Sequence, residues 1–411
     1  MSFDPKGCPT GSGRERASAG GHAISSAAEP REVRRRDDHV PQPSLPFVSV
    51  VMPVRNEASF LDRSLGAVLS QSYPAERYEV VVVDGSSEDG TAAKARSWAG
   101  STDVAVTVVD NPARITPVSL NLALSRARGE VIVRVDGHCV VEPDFIEASV
   151  RVLHDSAAAC VGGPIRTVGA GRWAAAIAAA QSSTFGVGGV AVRTSTAAQD
   201  VDTVAFGAYR REVFDRIGAF DEDLVRNQDD EFNFRLLQAG GRIRMDPSIR
   251  STYFSRTDVR GLARQYHGYG TYKVLVWRKR RAVASARQLV PGVFVSALAS
   301  ASIMSAVLRR GWPLASIIVP YGTANLAASA RTGRGAGVAV WRVALANTTM
   351  HIAYGIGLLN GVRRFGRGAP AERRGSRLSS MPERGAASSP SGRELLENLR
   401  NALFVGQPAR P

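Results

Sequence analysis

From Phe47 onward, short runs of β-branched apolar residues alternate with longer stretches whose apolar positions recur every three or four residues. The runs Val48-Ser-Val-Val-Met52, Val80-Val-Val-Val-Asp84, Val104-Ala-Val-Thr-Val-Val109 and Val131-Ile-Val-Arg-Val135 have the composition of buried strands. After the first run, Leu61, Leu65, Val68 and Leu69 share one helical face, with Ser59 as the expected N-cap, Asp62 in the first turn and Tyr73-Pro74 as the stop. A second helix is expected after Asp89-Gly-Thr91, and a third after Pro117, with Leu120, Leu124 and Ala127 at helical spacing. This alternation predicts an α/β fold: a mostly parallel sheet with helices on both faces and ligands gathered at the carboxyl ends of the strands. An alanine-rich helical run after Arg172 and a mixed segment through Phe254 read as the other wall of a cleft.

The last third changes character. Leu289 to Leu308 contains no charged residue. That is about the ~20 residues a hydrocarbon core requires. Trp312 to Ala330 is a second such run, and Val338 to Leu359 a third, broken by Arg342 and His351. Frequent Gly, Ala and Ser suit closely packed membrane helices. Buried helices of a soluble domain are the alternative, but little protein remains to cover them. Basic clusters flank the runs at Arg278 to Arg281, Arg309-Arg310, Arg331 with Arg334, and Arg363-Arg364. With the catalytic part inside, the positive-inside rule favours a cytoplasmic tail and so an even number of crossings. Two crossings plus an interfacial helix, or a re-entrant hairpin, both satisfy it.

The expected organisation is a disordered leader over 1–45, a catalytic α/β domain over 46–255, an interfacial basic and aromatic segment over 256–288, membrane-embedded helices over 289–362, and a basic, mostly disordered tail over 363–411 with a short helix from Gly392 to Phe404. The leader lacks the apolar core of a signal peptide. A formal charge of +15 admits a nucleic-acid binder, but equally a protein that lies on anionic lipid or grips a diphosphate. Cys8, Cys139 and Cys160 form no CxxC pair, so neither a disulfide framework nor a zinc site is indicated.

Candidate chemistry sits at the strand ends. Val51-Met-Pro-Val-Arg-Asn-Glu57 closes the first strand with polar groups at its tip, and Asp84-Gly-Ser-Ser-Glu-Asp-Gly-Thr91 follows the second. A carboxylate at that point accepts hydrogen bonds from a base or ribose, although a solvated turn has the same composition. Arg134-Val-Asp136-Gly-His138 offers a carboxylate and an imidazole suited to Mg²⁺ or Mn²⁺. Asn227-Gln-Asp229-Asp230-Glu231 opens an apolar helix, either as a charged first turn favoured by the helix dipole or with one acid as a general base.

Taken together, these segments resemble glycosyltransferase family 2, with the GT-A fold, across about residues 47 to 255 and nearest in pattern to bacterial exopolysaccharide enzymes. Asn111-Pro-Ala-Arg-Ile-Thr-Pro117, Phe206-Gly-Ala-Tyr-Arg-Arg-Glu212 and Gly218-Ala-Phe-Asp-Glu222 also carry the match. The resemblance implies that Glu57 and Asp84 contact the nucleoside, that Arg114 meets the phosphates, and that Asp136 is the first acid of the metal motif. His138 stands where the family's second acid usually does, and Asp229 matches the catalytic aspartate, here preceded by Gln228. It further implies an inverting hexosyltransferase that uses a nucleotide-diphosphosugar, a divalent metal and a lipid-linked or polysaccharide acceptor in exopolysaccharide or cell-envelope assembly. The expected location is the inner membrane with the catalytic domain cytoplasmic; the expected partners are donor, acceptor and membrane lipid, with no nucleic acid. Gln265 is followed by His267, Gly268 and Tyr269, so the Gln-x-x-Arg-Trp motif of processive members is not met, and one sugar per encounter is expected. Transfer to a polyprenyl phosphate is a related alternative. A sugar-nucleotide pyrophosphorylase would need a glycine-rich basic loop that Pro53 to Glu57 does not supply, and a non-catalytic scaffold is at odds with intact Asp136 and Asp229.

Overall fold

Valine-rich runs form the parallel part of the sheet in the computed structural model, which describes residues 45–283 and 285–366. The leader up to residue 44, the tail beyond Gly366 and its expected helix lie outside the described residues. β1 (Val48–Val54), α1 (Leu61–Leu69), β2 (Tyr78–Asp84), α2 (Thr91–Ala99), β3 (Ala105–Asp110), α3 (Thr116–Arg126) and β4 (Val131–Arg134) follow the predicted alternation. Parallel pairing sets Val54 opposite Asp84 and Val51 opposite Arg134, so the ends of β2, β1 and β4 come out side by side. Every residue of β2 and β4 is buried, as expected of central strands. β3 departs from the expectation of a buried strand: it lies at the sheet edge, where exposed positions alternate with half-buried ones.

The second half supplies β5 (Cys139–Val141), α4 (Phe145–Asp155), β6 (Cys160–Gly162), β7 (Ile165–Val168), α5 (Arg172–Gln181), α6 (Thr184–Val187), α7 (Ala191–Thr194), β8 (Gln199–Asp200), β9 (Ala208–Arg210), α8 (Arg211–Ile217), α9 (Gln228–Gln238), β10 (Ile243–Met245) and β11 (Ser251–Phe254). The main sheet has eight strands in the order β3-β2-β1-β4-β9-β6-β10-β8, and a small sheet has the order β5-β11-β7. The main sheet is mixed, because β9 runs antiparallel to both β4 and β6, and β8 antiparallel to β10.

Ser59 does not cap α1. Instead the amides of Phe60 and Leu61 both donate to the Glu57 carbonyl at 2.8 Å, and Asp62 turns outward to Lys94 and the Trp98 indole. The chain thus enters α1 through Glu57, which links that residue's position to the helix.

Four long helices close the described chain: α10 (Val259–Arg280), α11 (Val290–Leu308), α12 (Trp312–Ala336) and α13 (Val340–Phe365). α10 and α13 touch backbone to backbone. A Cβ at Gly270 would lie 2.2 Å from the Tyr354 carbonyl oxygen, and one at Gly357 would lie 2.2 Å from that of His267. Three membrane runs are expected from the sequence, but among the described residues only Ala286–Leu308 is long and apolar enough to cross a membrane. α12 carries Pro320, Arg331 and Arg334, and α13 carries Arg342, Arg363 and Arg364. α11 is apolar outward, with Val293, Ile303 and Val307 exposed.

Glu79 ties this frame together. Its buried carboxylate accepts from the Ser49 hydroxyl, the Arg128 amide and the Arg128 guanidinium at 2.7, 2.7 and 2.9 Å. Burial alone would raise its pKa, but these donors outweigh burial and lower it. Glu79→Gln should therefore lower the thermal midpoint at pH 7, by an amount corresponding to roughly 2 kcal/mol. A depressed folded pKa stabilises above the unfolded value of about 4.3, and that stabilisation is lost as pH falls through the folded pKa. Melting both proteins between pH 7 and pH 3 (about the range of that transition) should show the gap closing on the acid side; a constant gap would contradict this account.

Candidate active site

The strand ends bring the predicted residues to one edge of the sheet. At the end of β2, the buried Asp84 carboxylate accepts from the Ser87 amide at 2.9 Å and the Ser87 hydroxyl at 2.5 Å. This closes the loop after β2 as a tight turn, with Ser86 in the left-handed region at φ 53°. Gly85, next after Asp84, donates its amide to the Val54 carbonyl of the neighbouring β1, after which Asn56 turns the chain at φ 55°.

Glu57 reaches across to His138, with its Oε1 3.1 Å from Nδ1. His138 in turn packs edge-on against Tyr253 of β11, at 5.4 Å between ring centroids. An imidazole held at Nδ1 by a carboxylate presents Nε2, the usual arrangement of a metal-ligating histidine. Among the described residues, no group of three or more His, Cys, Asp or Glu side chains is placed to hold an ion. Asp136 and His138, two residues apart after β4, are the candidate donors for an ion whose remaining ligands would be phosphate oxygens and water, as Mg²⁺ is commonly held beside phosphates.

Arg134 joins the two most distant parts of the site. Its guanidinium is buried at the end of β4 and donates to both oxygens of Asp136, Nε at 3.0 Å and Nη2 at 3.2 Å. Its Nη1 lies 3.5 Å from Asp229 Oδ2 and has no hydrogen-bond partner. Burial disfavours the charge, but Asp136 and Asp229 outweigh it and raise the pKa above the ordinary arginine value.

α9 carries Asp229 to this point. Phe232 is fully buried between Tyr209, Phe214 and Phe220, with ring centroids 5.4, 5.0 and 4.6 Å away. Buried Asn233 accepts from the Tyr209 hydroxyl at 2.9 Å and donates to the Val204 carbonyl at 3.1 Å. Asn227, left-handed at φ 62°, anchors the helix start by donating to the Tyr269 carbonyl at 2.8 Å.

The acids of α9 are not a solvated first turn. Asp230 is ion-paired with the buried Lys273 of α10, whose pKa burial would lower but Asp230 raises. Glu231 is fully buried against Arg235 and Arg280 at 3.2 and 3.0 Å, and burial still pushes its carboxyl up. Asp229 and Asp230 are both partly exposed, and Arg134 is the cationic neighbour of Asp229.

Arg114 is not brought to Asp136. It sits at the rim on a left-handed turn, its guanidinium 3.3 Å from Glu88 and its carbonyl accepting from Arg55. Sequence reasoning assigned no role to Arg134, Tyr253 or Lys273. Arg134 carried a readable signal, because a charge inside an otherwise apolar buried strand demands a counter-charge. Lys273 and Tyr253 carried none, since their partners come from other segments.

The fold and the sequence are similar to those of known proteins. The mannosyltransferase PcManGT from Pyrobaculum calidifontis, solved in complex with GDP-Man and Mn2+, superposes with a TM-score of 0.51 at 23% identity over 78% of this chain and 88% of that one. The fold is therefore that of GT-A glycosyltransferases. The glycosyl transferase family 2 profile matches residues 49–218. The succinoglycan biosynthesis protein ExoA of Rhizobium meliloti (strain 1021) is 31% identical over 317 residues, 75% of this chain and 92% of that protein. The chain belongs to glycosyl transferase family 2. The dolichyl N-acetyl-alpha-D-glucosaminyl phosphate 3-beta-D-2,3-diacetamido-2,3-dideoxy-beta-D-glucuronosyltransferase of Methanococcus voltae is a further relative, 27% identical over 57% of this chain and 74% of that enzyme.

Removing the Arg134 cation should be costly. Arg134→Met leaves two carboxylates facing each other with no cation between them, and should destabilise the protein by about 3–5 kcal/mol. Adding Asp229→Asn should restore part of the lost thermal midpoint, read on the full-length protein in detergent. Equal losses in the single and double variants would mean that Arg134 acts through packing alone.

Proposed function

We propose that this glycosyltransferase moves a hexose from a nucleotide-diphosphosugar, specifically a UDP-sugar, to a lipid-linked or polysaccharide acceptor in exopolysaccharide or cell-envelope assembly, inverting the anomeric carbon. The observation that carries the reading is the Arg134 bridge, which sets Asp136 and Asp229 on one cation at the carboxyl ends of the parallel strands. Asp84 is the candidate group for the nucleoside, although in this structure its carboxylate is buried and accepts from Ser87 with both oxygens. Glu57 fits better as the carboxylate that orients His138 than as a nucleoside contact. Arg114 is paired with Glu88, and both side chains are exposed, so it stays the candidate for the phosphates.

Asp229 is the base. Glu231 is sealed among arginines, and Asp230, although it also lines the cavity, is bound to Lys273; Asp229, whose contact to Arg134 is the longer one, is the acid left to meet an acceptor hydroxyl. One working carboxylate suits a single displacement rather than a covalent sugar intermediate. A divalent ion held by Asp136 and His138 supplies neutralisation of the leaving diphosphate when bound. The complex of the mannosyltransferase with GDP-Man and Mn2+ supports that requirement. The dolichyl phosphate in the name of the Methanococcus enzyme, together with the exposed apolar face of α11, supports a lipid-linked acceptor and a catalytic domain held at the cytoplasmic face of the membrane.

The test is a screen of nucleotide-sugars against the detergent-solubilised full-length protein with a lipid extract, with and without Mn²⁺, reading nucleoside diphosphate release. Asp229→Asn should lower transfer by roughly a hundredfold, in line with general-base contributions, while donor binding persists. Asp136→Ala should remove most activity; full activity of that variant in EDTA would sink the metal assignment. Asp230→Asn should lower the thermal midpoint, because it leaves Lys273 buried without its counter-ion. Near-normal transfer by Asp229→Asn beside an inactive but stable Asp230→Asn would move the base to Asp230.

A further inference from the structure

A cavity of about 550 Å³ begins at Asp229 and Asp230 and extends to the C-terminal helices. Away from the acids its wall is apolar and aromatic: Phe185 and Val187 of α6, Val290 and Phe294 of α11, Tyr321 of α12 and Met350 of α13. Val290 both lines the cavity and is 63% exposed, so the cavity opens beside the outward apolar face of α11. At the inner end, His351 ties the wall together, with Nδ1 2.9 Å from the Tyr321 hydroxyl and Nε2 3.0 Å from the Phe185 carbonyl.

Three cations line this space, and their pairing differs. Lys273 has Asp230, and Arg287 has Asp202. Arg193 has no carboxylate partner among the described residues. Its Nη1 donates to Thr167 Oγ1 at 2.9 Å, and its guanidinium stands 5.5 Å over the Tyr253 ring. These contacts fix the side chain without neutralising it, so a half-buried positive charge is held facing a cavity whose other walls are mostly hydrocarbon. A ligand that satisfies both carries an anion at one point and a long apolar chain beyond it.

We propose that this cavity is the acceptor subsite and that its occupant is a lipid phosphate or diphosphate: the hydrocarbon chain leaves past Val290 and Phe294, Arg193 holds the anionic group, and the attached sugar faces Asp229. The inference rests on the transferase reading for the role of Asp229, but not for the lipid or its phosphate. The donor nucleotide is the other source of phosphate. Its base and ribose would set polar groups against an apolar wall, whereas the loop after β2 offers them Asp84 and hydroxyls.

The test uses the full-length protein in nanodiscs and an isoprenyl phosphate carrying a diazirine on its chain. Cross-links should map to residues 184–194 and to the cavity side of α11. Unlabelled isoprenyl phosphate should compete about tenfold better than the corresponding isoprenol, the difference one charge-assisted contact supplies. Arg193→Gln should erase that preference and Arg193→Lys should keep part of it, while UDP binding in Mn²⁺ stays unchanged in both. Labelling confined to the outer faces of α11 and α12, or equal competition by phosphate and alcohol, would overturn the proposal. A fall in UDP affinity that matches the loss of probe binding would assign Arg193 to the donor instead. A protein that turns over no nucleotide-sugar yet keeps the Arg193-dependent preference would overturn the transferase reading alone. One that glycosylates a lipid-free oligosaccharide, with no phosphate preference, would overturn the cavity assignment alone.

Discussion

A guanidinium buried at the end of a central strand is tolerable only if carboxylates meet it, and in this protein they come from two distant parts of the chain. Asp136 follows Arg134 directly, so its position comes from the strand. Asp229 arrives on α9, and its approach depends on the packing of Phe232 and the bonds of Asn233 against β9. The cation therefore reports whether the two halves of the fold are correctly docked. Two carboxylates meet this one guanidinium, so negative charge exceeds positive around Arg134 itself. A diphosphate entering that field is repelled unless a further positive charge accompanies it, which is the electrostatic case for a divalent ion with the donor.

The same logic extends to the C-terminal helices. Asp230 and Glu231 pair with Lys273 and Arg280 of α10, and Asp221 and Asp223 pair with Lys279 at 2.7 Å. Much of the basic run before α11, which looks in the sequence like a membrane-flanking cluster, is thus taken up within the protein. α10 is locked to α9 by charge and to α13 by glycine contacts. A displacement of the apolar helices would accordingly reach the first turn of α9 through buried ion pairs, whose separation is costly.

Periodic features were legible in the sequence, and long-range pairings were not. The valine runs announced β1, β2 and β4, and Pro117 announced α3, because local composition decides whether a segment suits a buried strand or a helix. β3 had the same composition yet lies at an edge, since strand order is set by tertiary packing. Ser59 had the right chemistry for a cap, but the Glu57 carbonyl took the amides first. Family resemblance found the acids, while their separate environments needed coordinates: nothing local distinguishes Asp229 from Asp230, and Lys273 lies far along the chain. Arg114 shows the converse, with a sound motif and a side chain turned to Glu88. The three apolar runs became helices at nearly the expected positions, but polar residues such as Thr323 and Asn325 in α12 and Asn347 and His351 in α13 dilute their apolar stretches, and among the described residues one stretch is able to span by length and composition.

Asp229 is the residue common to both spaces of the proposed reaction. On one side it faces Arg134 and the strand ends that carry Asp84, Asp136 and His138; on the other it lines the apolar cavity. An in-line displacement needs the acceptor hydroxyl and the departing diphosphate on opposite faces of the sugar, with the base on the acceptor's side. A carboxylate that lines the cavity and also pairs with the cation at the strand ends meets that requirement without a moving part. On the proposed reading it also separates the ligands by chemistry: polar turns would gather a nucleotide on one side, and hydrocarbon walls with one uncompensated guanidinium would gather a lipid anion on the other. Each substrate is then excluded from its partner's space by desolvation cost, so the order of the two along the reaction axis is set by the walls themselves.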